Sequence, residues 1–497
     1  MRPAAYTWSV TTADVIIANR AYRDHAVPPG EEEPADTGRG GLLVAVSPAV
    51  VTGAGGTTWV GAGRGPHDRA YVDGRGDEML ATGSGLLRHR RVFFDDVSWE
   101  RFYGTVANAF LWPLLHQVRV PLAERTGYVP RPVNLDEAAG AWQAFEDANR
   151  AYAGATVDAG RGESAWVHDY HLGLVPAYLR EAGYRGQIGF FLHTPVPDLA
   201  IARRVASGQG FERLLDWVRG ALGADLVGLQ SPADVARFAA LADVAGARQG
   251  DGETVAFEGR TVRLGAYPVG IDADEVARVA RAAPGYGMLR SLKSEAPVVA
   301  GLERQDYTKG IPERLQAMAA LWSAGHRFHY IGLASPTRGG VPGYERFNAA
   351  IEASLRMATA AAERVGCTCI QEAAALQWEE VVAVLRDADI VCTSSIADGM
   401  NLVPLQAAIA QSVKLPGERG VITMGRDTGA ASAYAGFEDD GLVTIDPFDT
   451  AGFSRALAAA IGGKTPAVSD RLAAAVGRHD ARSWGSRFLG DLMEGRP

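Results

Sequence analysis

After an apolar run ending at Glu303 the chain reads Arg304-Gln-Asp-Tyr-Thr-Lys309-Gly-Ile-Pro312. Two cations on one loop suit an anion with several oxygens, which arginine grips as a planar fork and lysine meets as a point charge. The bland alternative pairs Arg304 with Asp306 and leaves Lys309 solvated. A second stretch, ADGMNLVPLQ (397–406), follows another apolar run. Asp398 there can accept hydrogen bonds from sugar hydroxyls, and Gly399 allows close approach of backbone to a ligand. The N–H groups of Gly399, Met400, Asn401 and Leu402, ahead of a helix, can receive phosphate. Here the bland alternative is an ordinary capped turn. The stretch ends on a neutral Gln406, which a phosphate loop does not explain.

Other polar residues also close apolar runs. Arg20 ends the first, His168-Asp169-Tyr170-His171 ends AWV, His193 ends IGFFL, and Arg338 lies in SPTRGG after FHYIGLA. Histidines three apart can open a metal site, but no third ligand completes a pattern, so hydrogen-bonding roles are expected and no metal. The same reasoning sets aside Cys367-Thr-Cys369. Tyr103 and Trp112, nine apart in FYGTVANAFLWP, suit a core or the wall of a sugar-phosphate site. No Gly-x-x-x-x-Gly-Lys-Ser/Thr loop and no Gly-x-Ser-x-Gly elbow occurs, which argues against a nucleoside triphosphatase and an α/β hydrolase.

The elements that must position these residues alternate. VIIAN (15–19), AWVHD (165–169), IGFFLHTP (188–195), ADLVGLQ (224–230), APVVAGLE (296–303), FHYIGLA (328–334), ADIVCTS (388–394), GVITMG (420–425) and LVTID (442–446) read as buried strands. Helical patterns at 173–183, 232–243, 312–323, 344–364, 376–386 and 450–462 lie between them. Near-continuous apolar strands alternating with helices predict an α/β protein with parallel sheets covered on both faces. Two such series predict two doubly wound domains, 1–270 and 271–482, divided at TVRLGAYPVGID (261–272). Ligands in such folds sit at the carboxyl ends of the strands. The acidic, Pro- and Gly-rich segment 21–41 after the first strand reads as a ligand lid, with simple disorder as the bland alternative.

Bulk properties agree with a globular protein with sizeable cores. The 497 residues are 47% hydrophobic and carry a formal charge of −9, which argues against a nucleic-acid or membrane-surface partner. No transmembrane run or signal peptide is seen, and three cysteines make no disulfide framework, so a cytoplasmic location is expected. A homo-oligomer is left open.

IANR (17–20), GRGGL (38–42), NAFLWP (108–113), WVHDYHL (166–172), IGFFLHTPVP (188–197), YPVGID (267–272), ERQDYTKGIPERL (303–315), SPTRGG (335–340) and DGMNLV (398–403) stand in the order seen in trehalose-6-phosphate synthases. The chain resembles that family from its first strand to SWGSRFLGDL (483–492). The resemblance implies a retaining glycosyltransferase with two Rossmann-like domains facing a cleft (GT-B type), whose C-terminal helix (483–495) returns to the first domain. By the same resemblance Arg20, Tyr103, Trp112 and Arg338 hold a phosphorylated acceptor, glucose 6-phosphate in the family, with Asp169 and Tyr170 beside its sugar. Gly41 belongs to a mobile loop over the nucleotide-sugar donor, and His193 lies near the donor sugar. Arg304 and Lys309 bind the donor diphosphate, and Asp398 with the amides of Gly399 to Leu402 forms the donor loop. No cofactor is implied beyond the donor. The implied route is a front-face substitution in which the leaving phosphate takes the acceptor's proton.

Departures cluster on the donor side. The family carries Glu, a ribose ligand, where Gln406 stands, a basic residue at Leu405, Arg at Ala397 and Leu at Gln305. Glutamine keeps one acceptor but loses the charged hydrogen bond. The leading expectation is transfer of glucose to glucose 6-phosphate. A specialised secondary-metabolism homologue with another donor or a pseudo-glycoside product is the same-family alternative, and an inactive sugar-phosphate sensor is the alternative of another class.

Overall fold

Runs of Val, Ile, Leu and Phe without polar breaks are strands that must be covered on both faces, and here they are. The computed structural model describes residues 13–31, 46, 56–82, 85–160, 162–337 and 343–494. Its first sheet holds β1 (Val15–Ala18), β2 (Thr58–Ala62), β3 (Asp77–Thr82), β4 (Gly85–Val92), β5 (Ser164–His168), β6 (Gln187–Phe191), β7 (Leu226–Leu229), β8 (Arg248–Gln249), β9 (Thr254–Phe257) and β10 (Arg260–Ala266). They run in the order β3-β4-β2-β1-β5-β6-β7-β10-β9-β8. The seven from β4 to β10 are parallel, and β3, β9 and β8 add antiparallel edges.

The second sheet is wholly parallel. It contains β11 (Val298–Arg304), β12 (His329–Ser335), β13 (Cys369–Ala373), β14 (Ile390–Cys392), β15 (Val421–Gly425) and β16 (Leu442–Ile445), ordered β13-β12-β11-β14-β15-β16. In each sheet the chain starts in the middle, works to one edge and returns to build the other. Strand order therefore reverses between β1 and β5, and again between β11 and β14, where a crevice opens at the strands' carboxyl ends.

Four helices bear on the site. Helix α1 (Ala141–Ala159) packs on β1, β2 and β4. Helix α2 (Ile311–Ser323), with Pro312 in its first turn, and α3 (Val403–Ser412), with Pro404 in its first turn, follow β11 and β14. Helix α4 (Ala481–Glu494) lies across the first sheet. Phe488 of α4 stacks on Trp166 at 4.9 Å and covers Gly189 and Gly228, where an added Cβ would come within 2.6 Å of its ring. Tyr267 donates to Asp491 Oδ2 at 2.8 Å, tying the same helix to the residue after β10.

Some strands are shorter than the apolar runs suggest. The run 188–195 leaves the sheet at Phe191, because the loop beyond turns toward the second unit. The run 388–394 stops at Cys392, after which the Ser394 hydroxyl donates to the carbonyls of Lys309 (2.9 Å) and Gly310 (3.1 Å). Periodicity also misses β4, GLLRHRRV, since its buried half is polar. Arg91 is buried against Asp68 (2.6 Å) and Glu78 (3.0 Å), and Arg90 pairs with Asp77. These pairs hold the described part of the 21–41 segment. Arg91 donates to the Arg23 carbonyl at 2.7 Å, and the His25 amide donates to Asp68 at 2.9 Å.

Candidate active site

The first crevice is built where β1 and β5 end side by side, with Ala18 paired to His168. Arg20 stands exposed two residues beyond β1, its carbonyl accepting the Trp59 indole N–H at 3.0 Å. Asp169, the first residue after β5, has φ 74° and ψ 166°, a region essentially reserved for glycine. That bend stores backbone strain, about 1–3 kcal/mol. It leaves Tyr170 and His171 stacked at 3.9 Å, while the Asp169 carboxylate accepts the His193 amide at 3.3 Å.

Tyr103 and Trp112 both reach this stack. Tyr103 lies parallel to His171 at 5.5 Å and Trp112 tilts against Tyr170 at 5.6 Å. In an α-helix a spacing of nine leaves two side chains half a turn apart. Here Glu100–Leu111 winds as a π-helix, and the Trp112 amide donates to the Ala107 carbonyl. Each turn then takes nearly one residue more, so about nine residues make two turns and both rings share a face. Asn108 supports the winding: its side chain donates to the Tyr103 carbonyl (2.9 Å) and accepts from the Tyr170 hydroxyl (3.0 Å). Asn108 opens the NAFLWP motif, but its type and position alone do not separate it from a helix-surface residue.

The second crevice lies between β11 and β14. Asp306 caps the turn after β11, accepting from the Thr308 amide (3.0 Å) and hydroxyl (2.9 Å) and from the Tyr344 hydroxyl (2.8 Å). That turn buries Lys309 to 8% exposure, and its ammonium pairs with Asp398. A solvated Lys309 is therefore incorrect. So is a pairing of Arg304 with Asp306, because the Arg304 guanidinium sits over the Trp112 ring at 5.6 Å. Ser395 Oγ lies 3.4 Å from Asp398 and accepts from Asn401 Nδ2 at 3.1 Å. Asn401 itself has φ 65°. Among the described residues the N–H groups of Gly399, Met400, Asn401 and Leu402 have no acceptor. They precede α3 as unpaired donors at its positive end. Gln406, one turn into α3, is buried at 7% exposure.

The crevices face each other and touch. Gly399 packs on the backbone of the loop after β6, where an added Cβ would fall 1.7 Å from the His193 carbonyl oxygen. With Trp112 under Arg304, this joins Tyr103, Trp112, Asp169, Tyr170, His193, Arg304, Lys309, Asp398 and Gly399 into one cluster. Gly41 and Arg338 lie outside the described residues.

The two histidines are neutral. His193 Nε2 lies 3.1 Å from His168 Nδ1. Burial holds His193 down to about 3 and His168 well below the ordinary imidazole range, the neighbouring ring adding to the effect on His168. His168 meets His193, and His171 stacks between Tyr103 and Tyr170. Among the described residues no three His, Cys, Asp or Glu side chains gather as a metal site, and Cys367, Cys369 and Cys392 are buried free thiols. No described helix is long and apolar enough to cross a membrane.

Comparison with known proteins places this geometry. The profile of Glycosyltransferase family 20 matches residues 14–494. The trehalose-6-phosphate synthase of Mycobacterium ulcerans is 30% identical, over 97% of this chain and 94% of its own. The 56 kDa subunit of the UDP-forming alpha,alpha-trehalose-phosphate synthase of Saccharomyces cerevisiae is 26% identical, over 81% and 79%. Among solved structures, a UDP-forming alpha,alpha-trehalose-phosphate synthase from Burkholderia xenovorans in complex with glucose-6-phosphate superposes with a TM-score of 0.75 at 26% identity, over 96% and 99% of the two chains. An E. coli structure bound with UDP-2-fluoro glucose superposes at 0.78 with 23% identity, over 97% and 99%, a likeness of the GT-B fold.

Proposed function

The chain belongs to Glycosyltransferase family 20, the trehalose-6-phosphate synthase family, and on that premise we propose that this glycosyltransferase moves glucose from a nucleotide sugar to glucose 6-phosphate, giving trehalose 6-phosphate with retention. The observation that carries the reading is the meeting of the two crevices, with Trp112 under Arg304 and the His193 carbonyl against Gly399.

Each half has its task in this reading. Arg20, Tyr103, Trp112, Asp169, Tyr170 and Arg338 hold the phosphorylated acceptor. Arg304, Lys309 and the amides of Gly399 to Leu402 take the donor diphosphate. As the bond from the sugar's C1 to the phosphate oxygen breaks, negative charge grows on the leaving group, and these preformed donors stabilise it. The acceptor hydroxyl oxygen bonds C1 from the same face, and its proton passes to the departing phosphate oxygen. Lys309 and Asp398 neutralise each other before the donor arrives. Once the diphosphate draws Lys309 away, the Asp398 carboxylate is free to accept sugar hydroxyls. His193, held neutral, hydrogen-bonds the donor sugar without adding charge. Closure between His193 and Gly399 excludes water that would otherwise hydrolyse the donor. The charge of the diphosphate is met by the chain's own cations and amides.

A second reading, a specialised donor or a pseudo-glycoside product, draws support from the donor side. Gln406 is neutral and buried, Leu405 and Ala397 are core residues at 1% exposure, and Gln305 donates to Asn348 at 2.8 Å. The test is a donor-by-acceptor panel scored by nucleotide release, with and without a chelator. Turnover of glucose donors with glucose 6-phosphate, unaffected by chelation, is expected. Turnover only with another cyclic partner moves the assignment to the second reading, and binding without turnover makes the chain a sensor. Gln406→Glu separates donor choice. If Gln406 governs the nucleotide, this variant shifts the preferred donor and tightens the ribose contact by about tenfold, within the ordinary range of a charged hydrogen bond. An unchanged donor profile removes Gln406 from the ribose site.

A further inference from the structure

We propose that Arg119, on the first unit, is a positioning residue for glycosyl transfer, holding the Asp398 loop of the second unit in register with the acceptor wall. The inference rests on the function proposed above. Arg119 lies seven residues beyond Trp112, just past the helix that carries that ring over Arg304. Its guanidinium crosses the cleft and forks between two carboxylates, with Nε to Asp427 Oδ2 at 2.8 Å and Nη2 to Asp446 Oδ1 at 2.9 Å. Both carboxylates are largely buried, at 17% and 19% side-chain exposure, and the arginine is at 32%.

Asp427 is not a remote anchor. Its carbonyl accepts the Asp398 amide at 3.1 Å, and Asp398 forms a parallel bridge with Thr428. The Gly429 amide donates to the Gly399 carbonyl at 2.8 Å, and the Ala430 amide to the Met400 carbonyl at 3.0 Å. Residues 427–430 are thus the platform beneath the donor loop, and Arg119 grips its first residue. Asp446, the other carboxylate, is braced from its own side by Arg426 at 3.1 Å. One guanidinium therefore ties the element bearing Trp112 to the platform bearing Asp398. A lysine keeps the charge but cannot span both carboxylates in one plane.

The test uses the full chain with Arg119→Ala, Arg119→Lys, Asp427→Asn and the Arg119→Ala/Asp427→Asn double variant, each measured for kcat, both KM values and thermal midpoint. A displacement of the loop by a fraction of an ångström to an ångström predicts a fall in kcat of about ten- to a hundredfold for Arg119→Ala, with acceptor KM within about twofold. Arg119→Lys falls between it and wild type, and the double variant is no worse than its poorer single parent, as expected for two ends of one contact. Unchanged kcat in Arg119→Ala, a loss confined to thermal midpoint, or losses that multiply in the double variant would each overturn the proposal. A wild-type chain that turns over no donor refutes the proposed function instead. Arg119 is then judged by nucleoside-diphosphate affinity alone: weakening in Arg119→Ala supports its hold on the loop, and equal affinity overturns it.

Discussion

Replacing Lys309 with alanine separates two costs that the structure places on one residue. The first concerns the reaction. Lys309 is a buried cation at the mouth of β11, where in the proposed reaction the leaving diphosphate gathers charge, and loss of such a preorganised donor costs about 10²–10³ in kcat. The second concerns the fold. Asp398 loses its ion-pair partner at 17% side-chain exposure and keeps Ser395 Oγ at 3.4 Å. Breaking a fully buried pair costs about 3–5 kcal/mol, and the residual exposure here reduces that to roughly 1–2 kcal/mol. In a chain of this size that loss lowers the thermal midpoint by only about 1–2 °C. The catalytic term therefore dominates at assay temperature. Steady-state kinetics with saturating donor, together with calorimetric titration of glucose 6-phosphate, distinguishes the terms. Strongly reduced kcat with acceptor affinity within about twofold of wild type is expected, since uniform binding is untouched. A parallel loss of acceptor affinity and rate would refute the placing of Lys309 on the leaving group. So would a full kcat with only a raised donor KM.

Asp169→Gly should stabilise the chain, by about 0.5–2 kcal/mol, because glycine accepts φ 74° and ψ 166° without strain, while activity falls with the loss of the carboxylate. A lowered midpoint in thermal unfolding would show that the strain is absent. Gly399→Ala places a methyl 1.7 Å from the His193 carbonyl oxygen, and backbone cannot yield as a side chain tip can. Its circular dichroism should match wild type while turnover falls by at least about tenfold, the scale of a 1 Å misplacement. Near-normal turnover would mean that the two loops need not touch. Lys414 offers a pH test remote from the cleft. Its Nζ is buried with no hydrogen-bond partner among the described residues, and burial, aided by Lys293, lowers it to about 8. The unfolded chain then holds the extra proton between about pH 8 and 10.4, so the wild type gains stability as pH rises through that window. Lys414→Met should be more stable by about 1–2 kcal/mol at pH 7, and the difference should shrink at pH 10. A constant difference would sink the assignment.

Much of the fold was legible because parallel strands buried on both faces leave apolar runs that need no periodicity argument. VVAGLE and HYIGLA fall in β11 and β12, and the polar residues just beyond the apolar runs gather at the two reversals of strand order. What stayed hidden depends on interactions between distant residues. Strand β4 was obscured because Arg90 and Arg91 are compensated by Asp77, Asp68 and Glu78 from elsewhere in the chain. Tyr103 and Trp112 meet on one face only through π-helical winding, which their spacing of nine in an assumed α-helix would forbid. The Lys309–Asp398 pair joins residues 89 positions apart, and the Arg119–Asp427 pair 308. No local pattern encodes either pair.

In the proposed reaction the two crevices form one site in which a nucleotide sugar gives its glycosyl group to glucose 6-phosphate. Nucleotide release from UDP- and GDP-glucose, followed with and without glucose 6-phosphate and with the product's anomeric configuration read by NMR, tests it most directly. Acceptor-dependent release and an α,α-linked disaccharide phosphate are expected. Release at the same rate without acceptor, or an inverted linkage, would contradict it.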